Sequence, residues 1–174
     1  MFQKVLIEED IFHDQKTKNI LEKINYKHIL KIDSYKIFFE KVKKPYLQKR
    51  SNINLIIAKK KGELVKEAPD AYGLGQEKHF YFIHAYNCIY ECEYCYLQGY
   101  FNSPDLVLFI NHQDIIQQIE EKAKEHPGSW FHAGEFSDSL ALSHITDELN
   151  YYHDFFKKVP SAKLELRTKS ANIR

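Results

Sequence analysis

The sequence predicts an α/β protein in which helices alternate with the strands of a parallel sheet. Three observations support this class. From His79 onward, short apolar runs that suit buried strands are separated by longer runs with helical periodicity. The strand candidates are rich in aromatic and β-branched residues, which favour strands. Polar residues follow these strands, and ligand sites in parallel sheets lie beyond the carboxyl ends of the strands.

Residues 1–78 are predicted to form a small α/β region of their own. Their apolar residues either cluster in short runs or recur at helical spacing, and Pro and Gly residues punctuate the connections. In chain order we expect a strand at 4–7, a helix at 14–24, a strand at 28–32, a helix that Ser34 caps and Pro45 ends, a strand at 53–58 and a loop at 67–76.

Residues 79–174 are predicted to form the core that carries the cysteines of the chain. In chain order we expect a strand at 80–83, a short strand at 106–110, a helix from 111 or 112 that Pro127 and Gly128 close, a strand at 129–133, a helix at 142–158 and a strand at 163–167. After Cys95 the chain has room for two to three βα units of about 30 residues each. We therefore expect the N-terminal part of a longer protein, or a truncated gene product.

Composition and charge narrow the class of protein. Of 174 residues, 44% are hydrophobic and 14% aromatic, which excludes general disorder. The net charge of +1 argues against a strongly basic nucleic-acid-binding surface. No apolar stretch approaches the roughly 20 residues of a membrane span, and the first residues lack a secretion signal. With few cysteines as well, we expect a cytoplasmic protein without membrane partners.

The three cysteines of the chain lie together at Cys88, Cys92 and Cys95, with the spacing C-x3-C-x2-C. Three thiolates can hold three irons of a 4Fe-4S cluster and leave the fourth iron without a protein ligand, whereas ferredoxin-type sites use four cysteines. An open coordination position is typical of a metal centre that binds its substrate. A zinc site with His84 or His79 as fourth ligand is the main alternative, although zinc sites more often use paired C-x2-C units.

The cysteine motif resembles that of radical S-adenosylmethionine (SAM) enzymes, and its closer resemblance is to the spore photoproduct lyase family. The string Cys88–Gln98 carries Tyr94 and Tyr96 on either side of the last cysteine, as in that family. Further along, Ser137–Asp138 and Thr168–Lys169 match two residue pairs of the family in order. The resemblance implies a partial (β/α) barrel preceded by an N-terminal α/β region. This chain has room only for an incomplete barrel, and its N-terminal region matches that of the family only in outline.

The resemblance also implies the chemistry. Cys88, Cys92 and Cys95 would hold a 4Fe-4S cluster that, once reduced by a flavodoxin- or ferredoxin-type donor, cleaves SAM to a 5′-deoxyadenosyl radical for the repair of photoproducts in damaged DNA. The implied roles of the remaining site residues are SAM contacts for Glu135, Ser137 and Lys169, and a hydrogen-atom relay for Tyr94 and Tyr96. Each also has an ordinary explanation: a solvated carboxylate, a helix N-cap, a surface lysine or packed tyrosines.

One position departs from the family pattern. A cysteine that donates hydrogen to the substrate radical is expected where this chain has Glu135, and there is no fourth cysteine. A carboxylate is not a comparable hydrogen-atom donor, so the substrate stays open. Three hypotheses therefore remain: a radical SAM enzyme, a zinc- or cluster-stabilised nucleic-acid-binding module that does not cleave SAM, and an inactive fragment that needs a second polypeptide.

Overall fold

The computed structural model describes residues 2–39, 53–69, 75 and 77–171. In chain order its elements are β1 (Phe2–Glu8), α1 (Gln15–Glu22), β2 (Tyr26–Ile32), β3 (Leu55–Ala58), β4 (Val65–Glu67), β5 (His79–Phe82), β6 (Ala85–Tyr86), α2 (Leu97–Tyr100), β7 (Leu106–Phe109), α3 (His112–Glu125), β8 (Trp130–Ala133), α4 (Ser143–Thr146), α5 (Glu148–Lys158) and β9 (Lys163–Leu166). The chain divides into two compact units, the first made of Met1–Lys59 with Ala85–Ile110 and the second of Lys60–His84 with Asn111–Arg174.

The first unit is built on a five-stranded sheet in the order β2-β1-β3-β7-β6. Its first four strands are parallel, and β6 runs antiparallel to β7. The central strands β3 and β7 are apolar at every position and buried at every position, as central parallel strands usually are. Asp14 caps α1 by accepting a hydrogen bond from the Lys16 amide. These elements position the cysteine loop, which lies between β6 and β7.

The second unit contains a four-stranded sheet in the order β4-β5-β8-β9. Strands β5, β8 and β9 are parallel, which confirms the predicted parallel sheet, and β4 is an antiparallel edge strand. One face of the sheet packs on α3 and α5 through an apolar cluster that includes Phe82, Phe131, Ile115, Ile119 and Tyr152. The other face carries the polar and aromatic side chains of alternate strand positions.

The predicted domain boundary between residues 78 and 79 lies within the second unit, where β4 pairs with β5 across it. Three predictions need correction. Residues 65–67, of which Glu67 was predicted to open a loop, form β4. Strand β7, assigned to the core, instead pairs with β3 of the first unit. The single helix predicted at 142–158 is two helices, because Asp147 adopts a left-handed φ of 57° between them.

The helix predicted after Ser34 is described only at its start. The Ser34 side chain accepts a hydrogen bond from the Lys36 amide, as an N-cap does, and opens a 3-10 turn at Tyr35–Ile37. The rest of that predicted helix, to Pro45, lies outside the described residues.

Candidate metal centre and cofactor site

The cysteine loop begins directly after β6 in the first unit. All three cysteines are partly exposed thiols. The Cys92 carbonyl accepts hydrogen bonds from the Cys95 amide at 2.9 Å and from Gln98 Nε2 at 2.5 Å, which folds the second half of the loop into a turn that leads into α2. The Tyr90 amide donates a hydrogen bond to Cys88 Sγ at 3.4 Å. Amide-to-sulfur bonds of this kind are among those that tune iron–sulfur clusters.

The side chains of the cysteine loop were compared with the arrangement that a metal ion needs. Among the residues that the structure describes, no three His, Cys, Asp or Glu side chains converge closely enough to hold an ion. The donor set itself suits an iron–sulfur cluster, because three neighbouring, partly exposed thiols and a sulfur-directed amide are the groups such a cluster requires.

Both histidines considered as a fourth zinc ligand are engaged within the second unit. His84 is buried, and its Nε2 lies 3.7 Å from Glu148 Oε1. Burial raises the pKa of the Glu148 carboxyl, and His84 opposes that rise. His79 Nδ1 lies 2.9 Å from His132 Nε2. These contacts weigh against a zinc site completed by either histidine.

The two tyrosines that flank Cys95 do not belong to the buried core. Tyr94 is 75% exposed and Tyr96 is 56% exposed. The Tyr96 ring makes an edge contact with Tyr100 at a centroid distance of 5.6 Å, while Leu97 is buried and anchors α2. Simple core packing therefore does not explain these two tyrosines.

In the second unit, the turn after β8 is joined to the end of β9 by one buried carboxylate. Asp138 Oδ1 accepts hydrogen bonds from the Leu140 and Ala141 amides and from Thr168 Oγ1, the last at 2.7 Å. Asp138 Oδ2 accepts the Lys169 amide at 2.6 Å. The structure thus brings together the two residue pairs that the sequence singled out, and Asp138 is the residue that connects them.

The predicted SAM contacts surround this connection. Ser137 is partly buried, and its amide donates to the Gly134 carbonyl at 3.2 Å, so that Ser137 lies in a turn and does not cap a helix. Lys169 is exposed at the end of β9. Glu135, whose side chain is 18% exposed, places Oε2 3.6 Å from Arg167 Nη1. All three lie at the carboxyl ends of parallel strands, where ligand sites form.

A polar network that the sequence did not reveal crosses the same sheet face. Glu165 accepts from Arg167 Nε at 3.0 Å and contacts His132 Nδ1, while His132 Nε2 reaches His79. The hydrogen bond from Arg167 lowers the pKa of Glu165. Burial lowers the pKa of His132, and Arg167 adds to that effect. Leu164 and Leu166 alternate with polar residues, and this alternation indicates that Glu165 lies on the polar face of the strand. The sequence does not show that Glu165 lies beside His132, because that depends on the register between β8 and β9.

Comparison with known proteins defines the class. A point variant of spore photoproduct lyase has a TM-score of 0.75 at 19% identity, over 97% of this chain and 50% of that chain. The same lyase complexed with dinucleoside spore photoproduct has a TM-score of 0.72 at 19% identity, over 94% and 48%. A variant with bound AdoMet and the dinucleoside has a TM-score of 0.70 at 19% identity, over 94% and 48%. The fold is therefore that of a radical SAM partial barrel.

The sequence defines the family within that class. The sequence model of the family described as spore photoproduct lyase matches residues 78–174, more than half of the chain. The spore photoproduct lyase of Bacillus subtilis (strain 168) is 31% identical over 92 residues, which are 51% of this chain and 27% of that protein. The chain belongs to the spore photoproduct lyase family. It spans about half the length of the solved structures that it matches.

The helices give no sign of a membrane span. Within the described ranges, none is both long and apolar enough to cross a bilayer.

Proposed function

We propose that this chain forms the cluster-binding and SAM-binding part of a radical SAM enzyme that acts on DNA photoproducts. The observation that carries the proposal is the set of three partly exposed cysteines, in C-x3-C-x2-C spacing, on the loop that connects the paired strands β6 and β7. When bound, a 4Fe-4S cluster would supply the one-electron reductive cleavage of SAM to a 5′-deoxyadenosyl radical. A flavodoxin- or ferredoxin-type protein would supply the electron.

The residues of the chain would hold and orient this chemistry. Cys88, Cys92 and Cys95 would ligate three irons, and the amide directed at Cys88 Sγ would stabilise the thiolate charge. Tyr94 and Tyr96 lie beside the last ligand, and their exposure on the loop suits contact with a bound cofactor. Both tyrosines are therefore proposed as hydrogen-atom relays.

The strand ends of the second unit would bind SAM. The Asp138 hydrogen bonds fix the turn that carries Ser137 and the backbone of Lys169, so both side chains start from a rigid base. Lys169 supplies a point positive charge for the SAM carboxylate. Glu135 and Glu165 both pair with the Arg167 guanidinium. Glu135 is the carboxylate proposed to attract the ammonium group of SAM.

The proposed substrate follows from the relatives. Solved structures of spore photoproduct lyase contain AdoMet and dinucleoside spore photoproduct, which supports a photoproduct of DNA as the substrate of this chain. Glu135, tied to Arg167, occupies the place of the expected hydrogen-donating cysteine. The proposal therefore covers hydrogen abstraction from the photoproduct and does not assign the return of hydrogen to residue 135.

The cysteine assignment is tested by anaerobic reconstitution with iron and sulfide, followed by metal analysis and EPR of the dithionite-reduced protein. We expect close to four irons per chain and an EPR signal that changes when SAM is added. Cys92→Ala should lose most of the iron and the SAM-dependent change. His153→Gln, at an exposed position on α5, should retain both. One tightly held zinc in place of iron would instead support the zinc-stabilised binding module.

A further inference from the structure

Asn87, the residue immediately before the first cysteine, has an unusual backbone. Its φ is 62°, in the left-handed region that residues other than glycine seldom adopt, and asparagine is among the few that tolerate it. Asn87 is also 5% exposed, so water does not stabilise this conformation. The backbone of Asn87 therefore sets the direction in which Cys88 leaves the sheet.

The Asn87 side chain joins the two ends of the cysteine loop. Its Nδ2 donates to the Ser103 carbonyl at 2.6 Å and to the Asp105 carbonyl at 2.7 Å. Residues 88–102, with all three cysteines, lie between these points. Both partners are acceptors, so only a side chain with two donors can satisfy both. We call this arrangement of Asn87, Ser103 and Asp105 the loop neck.

The loop neck is in turn attached to the central sheet. The Asp105 carboxylate accepts from the Asn54 amide at 2.8 Å and from Asn54 Nδ2 at 3.2 Å, and Asn54 immediately precedes β3. The Asp105 amide donates to Ser103 Oγ at 3.3 Å. Burial raises the pKa of the Asp105 carboxyl, and the two bonds from Asn54 oppose that rise. A continuous set of hydrogen bonds thus connects the start of β3 with the residue before Cys88.

We propose that Asn87 is a positioning residue that closes the cysteine loop before the cluster binds. The proposal rests on the proposed function, because an iron–sulfur cluster is the ligand for which the loop is held. A loop closed in advance lowers the ordering cost that binding must otherwise overcome. Mutation of residues that orient metal ligands typically lowers metal affinity by about 10- to 100-fold. Asn87 therefore acts through Cys88, without contacting the metal.

Three substitutions separate the backbone role from the side-chain role. Asn87→Gly keeps access to a left-handed φ and removes the donors. Asn87→Asp keeps the shape and replaces the donors with acceptors that repel both carbonyls. Asn87→Ala removes the donors and disfavours the φ. The matched control is Asn111→Asp, at a buried asparagine of the second unit. Asn111 Oδ1 accepts a hydrogen bond from the Lys60 amide, and Asn111 Nδ2 donates one to the Lys60 carbonyl.

The first readout is hydrogen exchange of peptides spanning residues 88–105 in the metal-free protein. We expect Asn87→Asp and Asn87→Ala to exchange about tenfold faster or more, since one lost buried hydrogen bond changes an opening equilibrium by that order. Asn87→Gly should lie between these variants and the wild type. Asn111→Asp should leave this segment unchanged while it accelerates exchange in the second unit.

The second readout is iron loading and the EPR spectrum after reconstitution. Asn87→Asp and Asn87→Ala should load less iron and give a broadened or altered EPR signal. Asn87→Gly should lie between these variants and the wild type. Asn111→Asp should load iron and give an EPR signal as the wild type does. Wild-type exchange and wild-type spectra in Asn87→Asp would overturn the proposal. If even the wild type takes up no iron, the proposed function fails, and the exchange experiment still decides whether Asn87 closes the loop.

Discussion

Gly134, at the end of β8, has the least room for a side chain among the described glycines. Its φ is 81°, and a Cβ there would lie 2.7 Å from Ser139 Oγ and 2.9 Å from the Ser139 amide nitrogen. Ser139 Oγ also accepts the Arg167 amide at 2.8 Å and donates to the Ala133 carbonyl at 3.0 Å. A change at Gly134 would therefore disturb the contact between the turn after β8 and the end of β9.

We predict that Gly134→Ala lowers the free energy of unfolding by about 1–3 kcal/mol, from the strained φ and the close contact together. Urea denaturation followed by circular dichroism measures the change. The matched control is Gly99→Ala, because Gly99 lies in α2 and a Cβ there meets nothing within 4 Å. Equal stability of Gly134→Ala and Gly99→Ala would contradict the tight packing inferred at residue 134.

The surroundings of Asp138 show which site residues could be predicted from the sequence and which contacts could not. The sequence identified the Ser137–Asp138 and Thr168–Lys169 pairs as site candidates, and the structure joins them through the Asp138 carboxylate. The sequence did not indicate that Glu135 pairs with Arg167, because that contact depends on the turn between β8 and α4. Residue types were thus predictable, whereas their partners required the fold.

The three parallel strands of the second unit share a partly buried ionisable network centred on the buried His132, and this network predicts a pH effect. Burial lowers the pKa of His132 in the folded protein below its ordinary value of about 6.5. The unfolded chain then binds more protons at this residue, so its contribution to stability is present above about pH 6.5 and declines as the pH falls below that value. Glu165, whose pKa Arg167 lowers, loses its contribution at more acidic pH.

We expect the melting temperature of the wild type to fall more steeply between pH 7 and about pH 5 than that of His132→Gln. The comparison isolates His132 from Glu148, whose raised pKa acts in the opposite direction in both proteins. His153→Gln serves as the control, because its ring is 65% exposed. Parallel pH profiles for the wild type and His132→Gln would show that His132 is not linked to folding.

The elements that were predicted well from the sequence are those with a clear apolar run or a clear helical or strand periodicity. The strands at 4–7, 28–32, 53–58, 80–83, 129–133 and 163–167, and the helices at 14–24 and from 111 or 112, are confirmed to within a few residues. Strand β4 was missed because three residues carry too little pattern. Strand β7 was assigned to the core because a short apolar run does not reveal which of two sheets it joins.

The chain matches about half the length of its structural relatives, and each of its two units carries candidate residues of its own. The first unit carries the cysteine loop, and the second carries Glu135, Ser137 and Lys169. The cysteines were predicted from their spacing, whereas the roles of Glu135, Ser137 and Lys169 were implied by the resemblance to the family and stay predictions. Among the described residues the three thiols do not converge on one point, so their binding of a cluster stays a prediction from their spacing.

The central claim is that this chain uses three cysteines to support reductive cleavage of SAM. The most direct test is the amount of 5′-deoxyadenosine formed from SAM by the anaerobically reconstituted, dithionite-reduced protein. We predict that 5′-deoxyadenosine accumulates with the wild type and is absent with Cys92→Ala. A fully loaded cluster that forms no 5′-deoxyadenosine would contradict the claim.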